Sequence, residues 1–292
     1  MAKIGFIGLG NMGLPMALNL VKAGHQVLGH DVSPKGMDAL KAGGGAATND
    51  LAVIAGNEIV ITMLPAGQQV RDVYLGPSGL LAKAGKGTLF IDSSTIDVET
   101  ARLIAAKAEE SDMLLLDAPV SGGVGGAQGA TLTFMVGGRD EAFAKAKPIL
   151  DQMGKTVVHA GGAGAGQAAK ICNNMILGIS MIAVSEAFAL AEKLGLDKQK
   201  LFDISSKSSG QCWSMTTYCP VPGPVPTSPA NRDYAAGFTA AMMLKDLKLA
   251  QAASESVHAK TPLGKHAEEL YDKYVESGEA GRDFSGIINF LR

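Results

Sequence analysis

Three short stretches of this 292-residue chain combine residue types that can do chemistry. The first is Gly8-Leu9-Gly10-Asn11-Met12-Gly13. It follows a short apolar run directly and opens a helix-length amphipathic segment. In a strand–turn–helix unit the first glycine permits the tight turn, and the second lets backbone approach a pyrophosphate. The third allows close strand–helix packing, while first-turn N–H groups and the helix dipole attract the anion. Asp31 ends the next expected strand, 18 residues after Gly13. A carboxylate there accepts from a ribose 2′-hydroxyl and repels a 2′-phosphate, which favours NAD over NADP. No arginine follows it, although Lys35 lies close by in Val32-Ser33-Pro34-Lys35. Leu64-Pro65 and Thr95 occupy the ends of later strands, the edge that carries ligands in an open α/β sheet, and are candidate cofactor contacts or ordinary turn residues.

The second stretch is Gly166-Gln167-Ala168-Ala169-Lys170-Ile171-Cys172-Asn173-Asn174. On a helix Gly166, Lys170 and Asn174 share one face. The glycine admits a backbone or a substrate, and an ammonium projects past it beside an amide. An alcohol that gives a hydride to NAD must also lose its hydroxyl proton, and an amine can take it. Taken alone, however, Lys170 reads rather as a solvated lysine in a helix's first turn. The third stretch, Asp117-Ala118-Pro119-Val120-Ser121-Gly122-Gly123, offers a hydroxyl and glycine N–H groups to a small carboxylate, or is a plain turn. Phe238 and Lys245, seven residues apart, are expected on one helical face with Asp246 beside the lysine.

The elements that must position these groups fall into two textures. Strands are expected over Lys3–Ile7, Gln26–Asp31, Glu58–Met63, Thr88–Asp92, Met113–Ala118, Thr131–Val136 and Thr156–His159. Helical segments such as Asn11–Ala23, Asp97–Glu110 and Glu141–Met153 lie between them. That alternation predicts an α/β Rossmann-type doubly wound parallel sheet, with the last two strands extending it in mixed direction. After Gly161-Gly162-Ala163-Gly164 only helices follow: Gly166–Leu194 ended by Gly195, a helix capped by Asp197 and running to about Ser206, then Phe238–Ser256 and Pro262–Glu276. A dinucleotide-binding domain over residues 1–162 and an all-helical substrate and oligomerisation domain over 163–292 are therefore expected, joined by the long helix. Alternating prolines from Cys219 to Pro229 favour an extended, polyproline-like connector, either bland or close to the site.

Composition excludes several functions. The formal charge of −2 leaves no basic footprint for nucleic acid or membrane. Cys172, Cys212 and Cys219 make no disulfide framework, and His25, His30, His159, His258 and His266 show no metal-ligand spacing, so no metal is expected. The N-terminal apolar run is too short and glycine-broken for a secretory signal, and Met175–Ala191 reads as a buried helix, so a soluble cytoplasmic protein is expected.

Four ordered motifs together, the three stretches above and Leu244-Lys245-Asp246-Leu247, resemble the β-hydroxyacid dehydrogenase family, most of all its 3-hydroxyisobutyrate dehydrogenases. The resemblance spans nearly the whole chain. It implies Lys170 as catalytic acid/base, with Ser121, Gly122, Gly123 and Asn174 holding substrate and Lys245 beside cofactor and substrate. Gly8, Gly10, Asn11, Met12, Gly13, Asp31, Leu64, Pro65, Thr95 and Phe238 would hold NAD. It also implies a homodimer or homotetramer. Oxidation of 3-hydroxyisobutyrate to methylmalonate semialdehyde, in valine breakdown, is the expected reaction. Tartronate semialdehyde reduction, oxidation of L-serine or another short 3-hydroxy acid, imine reduction and a non-catalytic NAD-binding role are the alternatives. The proline-dense segment departs from the family pattern and bears on pocket size.

Overall fold

The computed structural model describes residues Met1–Arg292. Nine strands form one sheet: β1 (Lys3–Ile7), β2 (Gln26–His30), β3 (Ala46–Ala47), β4 (Ile59–Thr62), β5 (Leu89–Asp92), β6 (Leu114–Asp117), β7 (Val120–Ser121), β8 (Leu132–Gly137) and β9 (Gly154–Gly161). From β3 through β2, β1, β4 and β5 to β6 all neighbours are parallel. β8 then runs antiparallel to β6 and β7, and β9 adds in parallel beside β8. The mixed-direction extension expected from the last strands is therefore present. The two-residue strands β3 and β7 carry no periodicity and are additions to the sequence reading.

The central strands lack inside–outside alternation because both faces are covered. Ile59 and Ile61 of β4, Leu89 and Ile91 of β5, and Leu114 and Leu116 of β6 enter one core. Val60, Phe90 and Leu115, the residues between them, enter the core on the opposite face. Each such side chain contributes about 1.5–3 kcal/mol by leaving water. Helix starts follow local capping: Asp97 accepts from the Thr100 N–H and starts Val98–Glu109, and Asp197 accepts from Gln199 and Lys200 and starts Lys198–Ser205.

The chain folds as two compact units, Met1–Lys170 and Ile171–Arg292. The helix Ala165–Lys193 runs without a break across that division and ends with Gly195 at φ +76°. It is long and apolar enough to cross a membrane, but half of its most apolar stretch is buried within the fold. The second unit is helical, its core including Met181, Met243, Leu247, Tyr271 and Phe284.

Two expectations need correction. Phe238 is not helical: Thr239 caps Ala240–Ser256 by accepting from the Met242 N–H, so Phe238 precedes the helix that carries Lys245. The proline-dense segment is not an extended connector. It folds back on itself through turns and a short 3-10 helix, Pro229–Arg232. Val221 and Val225 pack into a core with Val184, Phe188 and Ile288. Ser228 Oγ donates to the Cys219 carbonyl at 2.6 Å, and Tyr234 OH to the Pro220 carbonyl at 2.8 Å. Proline fixed the local φ, but burial of the intervening valines decided the path.

Candidate active site

The glycine loop after β1 is sterically committed at Gly8 and Gly13 and open at Gly10. Gly8 sits at φ +92°, and a Cβ there would collide with the Met63 carbonyl. A Cβ on Gly13 would collide with the Gly8 carbonyl, whereas Gly10 faces open space. The helix that follows, Gly13–Lys22, has no side-chain cap at Met12. The Leu14 N–H already donates to the Gly10 carbonyl and Pro15 has no N–H, so the Gly13 N–H at the positive end of the helix is the first-turn donor left for an anion. Asp31 braces this loop. Its Oδ2 accepts from the Leu9 N–H at 2.6 Å and its Oδ1 from the Ser33 N–H at 2.7 Å. A carboxylate has about four lone-pair sites, so acceptor capacity remains for a ribose hydroxyl.

The ends of β4 and β5 are joined by a buried polar chain. Thr62 Oγ1 donates to Asp92 Oδ1 at 2.7 Å and lies 3.0 Å from the Tyr74 hydroxyl. Ser94 Oγ donates to the same Asp92 oxygen at 2.6 Å and accepts from the Leu64 N–H at 2.8 Å. Burial raises the Asp92 carboxyl above the usual range, opposed by the Ser94 and Thr62 hydrogen bonds. Of the expected cofactor contacts, Leu64 is thus bonded to this chain and Thr95 directly follows its Ser94.

Asp117, in register with Asp92 across β5 and β6, receives the start of the long helix. Its Oδ1 accepts from the Gly164 N–H at 2.7 Å and its Oδ2 from the Gln167 N–H at 2.8 Å. Burial pushes its carboxyl up to about 6 despite those donors. Gly166 lies where a Cβ would collide with the Met135 carbonyl and come within 2.6 Å of the Asp117 carbonyl. The glycine on the lysine's face thus admits sheet backbone. Lys170 follows one turn later and is only 7% exposed, so it is not the solvated lysine its position alone suggests. Ser121 ends β7, and Gly122 and Gly123 follow at φ +131° and +62°, a turn built for glycine.

In the second unit Asn174 Nδ2 donates to Asp246 Oδ2 at 2.5 Å, and Asn174 Oδ1 accepts from Asn173 Nδ2 at 3.0 Å. Asp246 is 3% exposed, with Lys245 Nζ 3.5 Å from its other oxygen. The Phe238 ring meets Phe284 edge-on at 5.6 Å. Buried Asp283 accepts the Gly237 and Phe238 N–H groups and the Tyr218 hydroxyl on one oxygen, fixing the chain ahead of the helix. The sequence reading passed over Asp92, Gln167 and Asp283 and took Asp117 only as the start of a motif. A carboxylate at the last position of a buried strand was the available signal for Asp92 and Asp117.

Residues 3–162 match the family model described as the NAD binding domain of 6-phosphogluconate dehydrogenase. Residues 164–291 match that described as NAD-binding of NADP-dependent 3-hydroxyisobutyrate dehydrogenase. The chain belongs to the β-hydroxyacid dehydrogenase family. Among its relatives a Pseudomonas aeruginosa 3-hydroxyisobutyrate dehydrogenase is 50% identical, over 100% of this chain and 99% of that protein. An NAD-dependent L-serine dehydrogenase of the same organism is 47% identical, over 98% and 97%. The solved structure of Mycobacterium tuberculosis 3-hydroxyisobutyrate dehydrogenase with L-serine superposes with a TM-score of 0.95 at 52% identity, covering 100% of this chain and 99% of that one. As a family member this chain is an NAD-dependent oxidoreductase acting on a CH–OH group. The open face of Gly10, the uncapped helix and the spare acceptor capacity of Asp31 fit the dinucleotide.

Proposed function

We propose that this enzyme oxidises 3-hydroxyisobutyrate to methylmalonate semialdehyde with NAD, and that Lys170 is its general acid/base. The observation that carries the proposal is the burial of Lys170 on a helix turn fixed by Asp117 and Gly166. An amine held there by packing can accept a proton without rearrangement. NAD, when bound, accepts the hydride from the carbon that bears the hydroxyl. Lys170, as its neutral amine, takes the hydroxyl proton at Nζ; in the reverse direction it returns it. Ser121 and the Gly122 and Gly123 N–H groups hold the substrate carboxylate. Asn174, oriented by Asp246, donates or accepts at the substrate, and Lys245 adds a cation beside both partners. Leu64, Pro65, Thr95 and Phe238 line the nicotinamide side. Asp31 sets the preference for NAD over NADP.

L-Serine is the second reading, because its β-hydroxyl is also a 3-hydroxy group and one relative is named for it. We also place the enzyme in valine breakdown, in the cytoplasm, as a homodimer or homotetramer. Steady-state kinetics on Lys170→Ala test the mechanism. We expect kcat to fall by about 10²–10⁴ with NADH binding retained, and near-wild-type turnover would remove Lys170 from the chemistry. A panel of 3-hydroxyisobutyrate and L-serine with NAD, and of tartronate semialdehyde with NADH, ranked by kcat/KM, decides the substrate.

A further inference from the structure

Gln167 is fully buried, and both ends of its side-chain amide are engaged by one turn. Its Nε2 donates to the Ser94 carbonyl at 2.7 Å, and its Oε1 accepts from the Ile96 N–H at 3.1 Å. The two bonds bracket Thr95. A carbonyl can only accept and an N–H can only donate, so a single amide orientation satisfies both. The Gln167 backbone is fixed as well, through its N–H to Asp117. Ser94, on the other side of the clamp, is tied to Asp92 and Leu64. Lys170 lies three residues along the same helix, so one side chain joins the turn of Thr95 to the turn of Lys170.

We propose that Gln167 is a positioning residue for the dehydrogenation, its amide setting the Thr95 turn in register with the helix turn that carries Lys170. This rests on the reading that Thr95 lines the nicotinamide and that Lys170 handles the proton. Gln167 need not touch either reactant. It acts by denying the Thr95 turn its freedom to move against the helix, and a shift of about 1 Å between reacting groups costs on the order of 100-fold in rate. An amide offers one donor and one acceptor at this spacing at every pH. Methionine fills the same volume and makes neither bond. Glutamic acid makes both bonds while protonated; once ionised it loses the donor and turns a negative oxygen toward the Ser94 carbonyl.

The test is kinetic, on the full-length enzyme with NAD and its best 3-hydroxy acid. Gln167→Met is expected to raise KM for NAD and to lower kcat by about 10- to 100-fold. For Gln167→Glu the decisive quantity is the ratio of its kcat/KM for NAD to that of wild type, followed from pH 5.5 to 9 as set points. We expect that ratio to approach one at the acid end and to fall roughly tenfold or more as the buried carboxyl ionises. Asp92, Asp117 and Lys170, the ionisable groups nearest residue 167 in this network and helix, are common to both proteins, so their titration largely cancels in the ratio. A pH-independent ratio overturns the proposal, as does a Gln167→Met enzyme with wild-type constants. If the methionine variant does not fold, amide exchange at Ile96 in the wild-type enzyme serves instead, where slow exchange is expected and exchange at the rate of an open loop overturns the clamp. Failure of the Lys170 reading is distinguishable: Lys170→Ala would then keep its turnover while the Gln167 variants still lost theirs.

Discussion

Asp117→Asn keeps the shape of the residue that receives the long helix and removes its charge. In the native protein burial lifts this carboxyl from 3.8 to about 6, against the pull of the Gly164 and Gln167 N–H groups. The folded chain therefore holds a proton here more tightly than the unfolded chain does. The sign follows: the contribution to stability is full below about pH 4, is lost as pH rises through about 6, and is absent at neutral pH. A gap of roughly two pKa units corresponds to about 3 kcal/mol. At about 2 °C per kcal/mol for a chain of this size, the wild-type Tm should drop about 6 °C relative to the asparagine variant between pH 4 and pH 7. Scanning calorimetry on both proteins across that range, read as the difference between them, removes every other titrating group from the comparison. Parallel Tm profiles would refute the reasoning, because they would mean the carboxylate is as well solvated inside as out.

Asp31→Ala should raise KM for NAD about tenfold or more, through loss of a charged acceptor, and narrow the preference over NADP; unchanged cofactor preference in paired assays would show that Asp31 does not meet the ribose. Gly10→Ala and Gly13→Ala should part company. The first has room and should fold normally but bind NADH weakly in fluorescence titration, whereas the second collides with the Gly8 carbonyl and should yield little folded protein. Ser228→Ala removes the donor to the buried Cys219 carbonyl and should cost about 1–3 kcal/mol in denaturant unfolding, with kcat unchanged.

What the sequence made legible was whatever is dictated within a few residues. The turn glycines at 8 and 13, the cap at Asp197 and the stop at Gly195 are marked by residue type and short spacing, and all appear in the structure. Groups whose roles depend on distant partners were not legible. Gln167 reaches residues more than seventy positions away, and Asp117 reaches some fifty. Nothing next to either one in the chain announces its partner. Phe238 was drawn onto the helix because apolar periodicity does not mark the capping residue, and Thr239 decides that boundary. Lys170 is the instructive intermediate case. Its spacing from Gly166 was visible, but its burial, like the close approach of Gly166 to the Met135 carbonyl, is a tertiary fact that no local pattern encodes.

The folded proline segment has a practical consequence. A run such as Pro220-Val221-Pro222-Gly223-Pro224-Val225-Pro226 resembles a spacer into which a purification handle or a protease cleavage sequence is commonly spliced. Here Val221 and Val225 act as plugs in the wall of the helical unit, and drawing both into solvent would forfeit about 3–6 kcal/mol. For protein engineering, this stretch is masonry rather than tether.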